Sequence, residues 1–448
     1  MEVIASAKAQ EQTVEVGTFF ENMPFTKRHR FVGFALFMAF VIEAWEMMII
    51  IMISGAIAAE FSLTPVQVGS LIGAIFLGMI PGTYVWGIVG DKIGRKKTII
   101  YSLLLYGVVS AASSFSPNYE TLYTLRLLSG FSLGGVLACI FPYYEEMLPV
   151  KQRGKAAVYL SAGWPIGTLI AIGLTSLLMD VEGAFGGWRA IIFISSLAGL
   201  WAFVISKIPE SPYWLAGKGR TDEAKQVISD LSQGVTQVSK DTELFVSKVK
   251  QGSILEIFKL KMIKTTALQT IVNFCFSFGY WGLYTWIPTL LQQKGLSMGQ
   301  SLGFVALSAI AQIPGYVAAA HLTSKYGRKK VMFAFVLLAS IFGFAFAYSS
   351  NLFQLYTFNF VLGFFSLGAW GVWNTWFGEI YPTNVRGVGY SWGVGGQRWA
   401  NTVAPSLIGF VIGLGWVFGA TVSFIQIFMV ITLITILFIR ETEGEILH

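Results

Sequence analysis

The sequence predicts an all-α membrane protein, with twelve transmembrane helices forming two pseudo-symmetric bundles of six. Three observations predict it. Of 448 residues, 54% are hydrophobic and only 12% are charged, about half the charged share of a soluble domain. The apolar residues run in long blocks, such as 71–89 and 417–439, and each block is long enough to cross ~30 Å of hydrocarbon as a helix. Motif positions also recur at one fixed offset, the 233 residues that separate Gly94 from Gly327.

Twelve spans are expected, near 31–58, 66–89, 98–115, 120–145, 156–179, 189–208, 264–291, 299–322, 331–349, 352–378, 388–413 and 416–439. They must be helical, because a helix satisfies its own backbone polar groups inside lipid. Lys and Arg gather in alternate loops, at 27–30, 92–97, 151–155 and 325–330. That asymmetry expects both termini and the long central segment on the cytoplasmic side. It also accounts for the net charge of +7 without a nucleic-acid partner. The expected divisions are a cytoplasmic tail (1–26), a first bundle (27–208), a cytoplasmic linker with amphipathic helices (209–262), a second bundle (263–440) and a short cytoplasmic tail (441–448).

Cys139 and Cys275 lie inside apolar runs, and His29, His321 and His448 are scattered. No disulfide framework, metal site or cofactor follows from them, and enzyme chemistry is not expected. The start of the chain is polar and acidic, unlike a cleavable signal peptide.

The repeat defines two homologous halves. Gly94, Arg95, Lys96 and Lys97 meet Gly327, Arg328, Lys329 and Lys330; Gly130 meets Gly363; Glu146, Pro149, Arg153 and Gly154 meet Glu379, Pro382, Arg386 and Gly387. Parallel halves of this kind are related by an axis along the membrane normal, with a substrate site between them near the midplane.

Gly87, Asp91, Gly94, Arg95, Lys96 and Lys97 form a loop that resembles the signature between helices two and three of the major facilitator superfamily. The degenerate copy departs from it at Ser324, where the family often carries an acid. The resemblance covers about residues 27–440 and implies a secondary transporter working by alternating access, a monomer in the lipid bilayer acting on a small-molecule substrate. Glu43 and Glu46 resemble the paired-acid motif, usually two Asp, of prokaryotic aromatic-acid and metabolite proton symporters. Segments 365–371, 379–386 and 286–298 are similar to bacterial niacin-type transporters. Proton-coupled uptake of a small organic anion is therefore expected, possible cargoes being aromatic monocarboxylates such as nicotinate or benzoate. The proton is the coupling ion, and the location is a prokaryotic inner membrane. An organic-cation transporter, a sugar-type carrier and a non-transporting sensor on the same fold are the alternatives.

The residues themselves nominate the machinery. Charges inside a bilayer are costly, about 2.5–3.5 kcal/mol at mid-helix. Glu43 and Glu46 stand one helical turn apart on one face, where two carboxylates repel and favour keeping a proton. Arg126, near the proton site in family relatives, either joins the coupling or serves helix packing. Arg398, beside Gln397, offers a permanently charged fork that fits a carboxylate; the alternative is an ion pair with Glu43 or Glu46. Trp281 with Tyr284, and Trp373 with Asn374, share helix faces and could stack on a flat substrate, although packing and interface anchoring account for most membrane aromatics. At the cytoplasmic ends, Asp91 with Arg95 and Glu146 with Arg153 are expected to form gating pairs. Glu379 with Arg386 repeats the latter, beside Gly87, Gly94, Gly327 and Arg328.

Overall fold

The structure, a computed structural model, describes residues 13–183, 185–239, 242–246 and 253–442. The first half holds α2 (Lys27–Phe61), α3 (Pro65–Ile93), α4 (Arg95–Ser113), α5 (Tyr119–Glu146), α6 (Val150–Ser161), α7 (Gly163–Leu178), α8 (Trp188–Ser196) and α9 (Ala202–Ile205). The linker carries α10 (Pro212–Gly217), α11 (Thr221–Ser232) and β2 (Glu243–Phe245). The second half holds α12 (Ile263–Tyr284), α13 (Ile287–Gln293), α14 (Met298–Tyr326), α15 (Arg328–Ala347), α16 (Leu352–Glu379), α17 (Thr383–Gly413) and α18 (Phe418–Ile436). Ahead of them all lie β1 (Thr13–Glu15) and α1 (Val16–Glu21).

Eight segments among the described residues are long and apolar enough to cross a membrane, the α8–α9 region counting as one. Two other expected spans are broken, and proline explains both breaks. Pro165 has no N–H for the carbonyl four residues back, and α6 ends there, at Ser161. Pro288 does the same to Tyr284, the last residue of α12.

The 233-residue repeat reappears in the helix caps. Thr64 with Gln67 and Ser297 with Gln300 form reciprocal capping boxes at the starts of α3 and α14. Asn118 and Asn351 cap α5 and α16. Gly94 and Gly327, with φ of 106° and 92°, make the sharp turns into α4 and α15, a backbone region that side chains rarely tolerate.

Small residues set the helix spacing. A Cβ at Gly78, Gly82 or Gly130 would overlap backbone atoms of the facing helix in the α3–α5 contact, and Gly315 does the same against Phe364 of α16. Between the halves, α3 meets α17 just as closely: Gly69 lies on the Pro405 carbonyl, Gly73 on Thr402 and Gly409 on Pro65. The two halves are thereby sealed together at the end of the bundle that carries the Ser62–Thr64 turn. The opposite end carries the linker. There β1 pairs in parallel with β2, Thr13 against Glu243, and Phe20 of α1 is fully buried with its ring 5.6 Å from that of Tyr213. Residues 13–21 of the expected tail thus pack onto the linker, because Val16 and Phe20 supply an apolar face.

Candidate functional site

Glu43 and Glu46 sit in the middle of α2, each only 1% exposed. Although one turn apart, they serve different neighbours. Glu46 is held within its own half: Arg126 of α5 forms an ion pair with its Oε1, and the Tyr106 hydroxyl of α4 donates to its Oε2 at 2.7 Å. Glu43 has no ion-pair partner among the described residues, and its Oε2 is buried without a hydrogen bond. It lies instead within electrostatic reach of Arg398 on α17 in the other half. The Arg398 Nε is likewise buried and unpartnered. An acid from one half and a base from the other therefore face each other without joining. Leaving charges in this condition in a low-dielectric interior is costly; a proton can relieve Glu43, and an anionic solute can relieve Arg398.

The aromatic residues divide by role. Trp281 of α12 wedges between the halves, its ring 4.6 Å from Phe76 of α3 and 5.5 Å from Trp164 of α7, both edge-on. Tyr284 stacks on Tyr280 at 4.4 Å, and its hydroxyl accepts from Ser308 at 3.4 Å. Trp373 is fully buried. Its indole N–H donates to Asn273 Oδ1 at 3.0 Å, and Gln397 donates to the same oxygen at 2.7 Å. Trp373 and Gln397 therefore meet through Asn273, and Trp373 is committed to that amide cluster. Asn374 lies one residue on and is half-buried. Between the halves, Met48, Met52, Trp164, Tyr280, Tyr284 and Gln312 border a cavity of about 10 Å³, roughly the room that one water needs. The two halves are packed closely at this level.

At the linker end the expected Asp91–Arg95 pair forms, while Glu146 and Glu379 take other partners than expected. Arg95 binds Asp91 at 2.5 Å and approaches Glu146 at 3.8 Å. Glu146 was expected to pair with Arg153, but Arg153 donates to the Tyr213 hydroxyl at 2.7 Å and to the Leu148 carbonyl. The repeat holds: Glu379 takes both arms of Arg328, at 3.1 and 3.2 Å, where Arg386 was expected. Each of these pairs lies inside one half, because the start of α4 or α15 points its arginine along the neighbouring helix end. A Cβ at Gly87 would meet no atom within 4 Å, whereas one at Gly90 would press on Cys139 Sγ at 2.9 Å. The close approach therefore belongs to Gly90.

Two acids were missed by sequence reasoning. Glu210 Oε1 accepts the backbone N–H groups of Arg95 and Lys96 at 3.0 and 3.2 Å. Glu441 accepts those of Arg328 and Lys329, both at 3.0 Å. Each carboxylate satisfies free N–H groups at a helix start and sits at the positive end of the helix dipole. Glu441–Thr442 follows Glu210–Ser211 by 231 residues, two short of the 233-residue repeat, so the fixed offset alone does not pair them.

The chain matches the Major Facilitator Superfamily over residues 35–325 and again over 304–446. It is 30% identical over 438 residues to the niacin transporter NiaP of Acinetobacter baylyi, covering 96% of this chain and 98% of that one. It is 28% identical over 464 residues to organic cation/carnitine transporter 7 of Arabidopsis thaliana, covering 91% and 90%. Among solved structures it superposes on a partially occluded inward-open form of the xylose transporter XylE from E. coli. The TM-score is 0.76 and the identity 16%, over 94% of this chain and 100% of that one.

Proposed function

The chain belongs to the Major Facilitator Superfamily and is a multi-pass secondary transporter, not an enzyme; from that premise we propose that it couples uptake of a small organic anion, a nicotinate-like monocarboxylate, to the entry of a proton. One observation carries the reading: Glu43 and Arg398 face each other across the two halves, and among the described residues neither holds an ion pair. With Glu43 ionised, the acid competes for the Arg398 guanidinium. A proton on Glu43 removes that competitor and leaves Arg398 open to a substrate carboxylate, which its planar fork fits. Proton and anion then bind cooperatively, since each improves the site for the other by the same factor. Glu46 stays with Arg126 and Tyr106 as the fixed charge pair behind it. Trp281 and Tyr284 supply flat apolar faces for an aromatic ring. The niacin transporter relative supports this class of cargo.

The distribution of Lys and Arg favours both termini and the linker on the cytoplasmic side, the bacterial niacin transporter relative favours a prokaryotic inner membrane, and the monomer is what the family resemblance implies.

The test is uptake of labelled nicotinate and benzoate into proteoliposomes, with and without an imposed inward proton gradient. Accumulation that needs the gradient supports the reading. Transport that is indifferent to the gradient sinks the coupling. The organic-cation relative motivates a second reading, in which Glu43 binds the cargo. Inhibition by tetraethylammonium, together with indifference to carboxylates, would select it. Arg398 stands against it, because a cation bound at Glu43 would sit beside a fixed positive charge.

A further inference from the structure

A second cavity, of about 440 Å³, opens at the linker end, between the start of α4 and the linker helices α10 and α11. Its size is that of a small-molecule site, and it lies outside the path between the halves. Trp214, Leu215 and Val227 give it an apolar wall. Three carboxylates and three basic side chains line it, so its formal charge is zero. The carboxylates, however, are all engaged. Glu210 accepts the backbone N–H groups of Arg95, Lys96 and Ser211. Glu223 takes two hydrogen bonds from Arg220, both at 2.6 Å, which pull it below the usual carboxylate range. Asp230 receives the Arg28 Nε at 2.7 Å. Lys96 and Lys97 are the basic groups on the wall that hold no ion pair among the described residues. Lys96 lies within electrostatic reach of the Glu210 carboxylate and, to a smaller effect, of Arg28, which adds a further positive charge. A lysine in open water is satisfied by hydration, but Lys96 is half-buried in the wall, where less water can serve it.

We propose that this cavity binds a phosphate-bearing anion, with Lys96 and Lys97 as its charge partners and Trp214 with its apolar neighbours against the organic part. Bound there, the anion bridges the start of α4 and the linker, the two elements that Glu210 already joins, and restrains the gate from outside the substrate path.

The probe is inorganic tripolyphosphate, titrated calorimetrically into the delipidated, detergent-purified full chain. This readout does not depend on which substrate is carried. Saturable binding at one site is expected, weakened about tenfold or more in Lys96→Ala/Lys97→Ala, since charge-assisted contacts to phosphate are strong. Lys259→Ala/Lys261→Ala removes two exposed charges elsewhere at the same end and should leave binding unchanged. No saturable heat, or equal weakening in both double variants, overturns the proposal. Repeating the titration in nanodiscs of phosphatidylcholine, with and without phosphatidylglycerol, identifies the source. Loss of tripolyphosphate binding when phosphatidylglycerol is present assigns the site to a lipid headgroup, and unchanged binding assigns it to a soluble phosphate.

Discussion

The Tyr106 hydroxyl donates to Glu46 Oε2 at 2.7 Å, and with Arg126 on the other oxygen it fills both sides of one buried carboxylate. Three residues earlier, Glu43 Oε2 has no hydrogen-bond partner among the described residues. One turn of α2 thus carries a saturated acid and an unsaturated one. The first is bound by its own half. The second is left to whatever the other half presents, and this difference separates a fixed charge from a working one.

Removing the donor tests the first role. Tyr106→Phe leaves a buried oxygen short of a hydrogen bond, which costs about 1–3 kcal/mol. Breaking the pair itself by Arg126→Ala costs more, about 3–5 kcal/mol, because it strands a buried charge. Denaturation of the detergent-purified protein would rank the two. The double variant Tyr106→Phe/Glu46→Gln should lose less than the sum of its parts, as expected for partners in one network. Simple additivity would show that the hydroxyl does not serve Glu46.

Glu43→Gln separates coupling from transport. The amide mimics the protonated acid, so Arg398 stays open to the substrate at every pH. Exchange of labelled for unlabelled nicotinate across proteoliposomes should persist, while accumulation driven by a proton gradient is lost. In the parent protein, apparent affinity should fall as pH rises, because ionised Glu43 competes for Arg398. In Glu43→Gln that slope should vanish. A variant that still concentrates substrate against its gradient would move the coupling proton to another group.

Much of this arrangement was legible in the sequence, for identifiable reasons. Apolar blocks of membrane length announce themselves, but 156–179 and 264–291 were expected as continuous spans, although Pro165 and Pro288 stand four residues after the breaks at Ser161 and Tyr284. The isolated charges Glu43, Glu46, Arg126 and Arg398 stood out because lipid penalises them. Partner choice was not legible. Arg153 is near Glu146 in the chain, yet Arg95, from a different helix, approaches it in space. Tyr106 gave no signal at all, since a tyrosine in an apolar span is ordinary packing and its acid lies 60 residues away.

Arg398→Ala should abolish binding of a carboxylate substrate, and Arg398→Lys should restore part of it, since lysine keeps the charge and loses the fork. Loss of one charge-assisted, two-point contact weakens affinity by about one to two powers of ten. The check is a binding titration with nicotinate, read by tryptophan fluorescence from Trp281 or by calorimetry. Unaltered affinity in Arg398→Ala would remove the anchor and revive the cation reading.

Gly69 offers a test of how the halves close. Its Cα lies so near the Pro405 carbonyl that a methyl group would overlap backbone atoms, and backbone cannot swing aside as a side chain can. Overpacking of this kind costs about 1–3 kcal/mol, charged only to the state in which α3 and α17 touch. Gly69→Ala should therefore shift the population toward the state with that end open, by roughly one to two powers of ten. A cysteine at Ser406, whose hydroxyl sits 3.3 Å from that of Ser70 across this contact, reports the change. Its labelling by a membrane-impermeant maleimide should be slow in the parent background and faster with Gly69→Ala, while the buried Cys139 and Cys275 stay silent. Equal labelling in both backgrounds would mean that the α3–α17 contact is not what closes this end of the transporter.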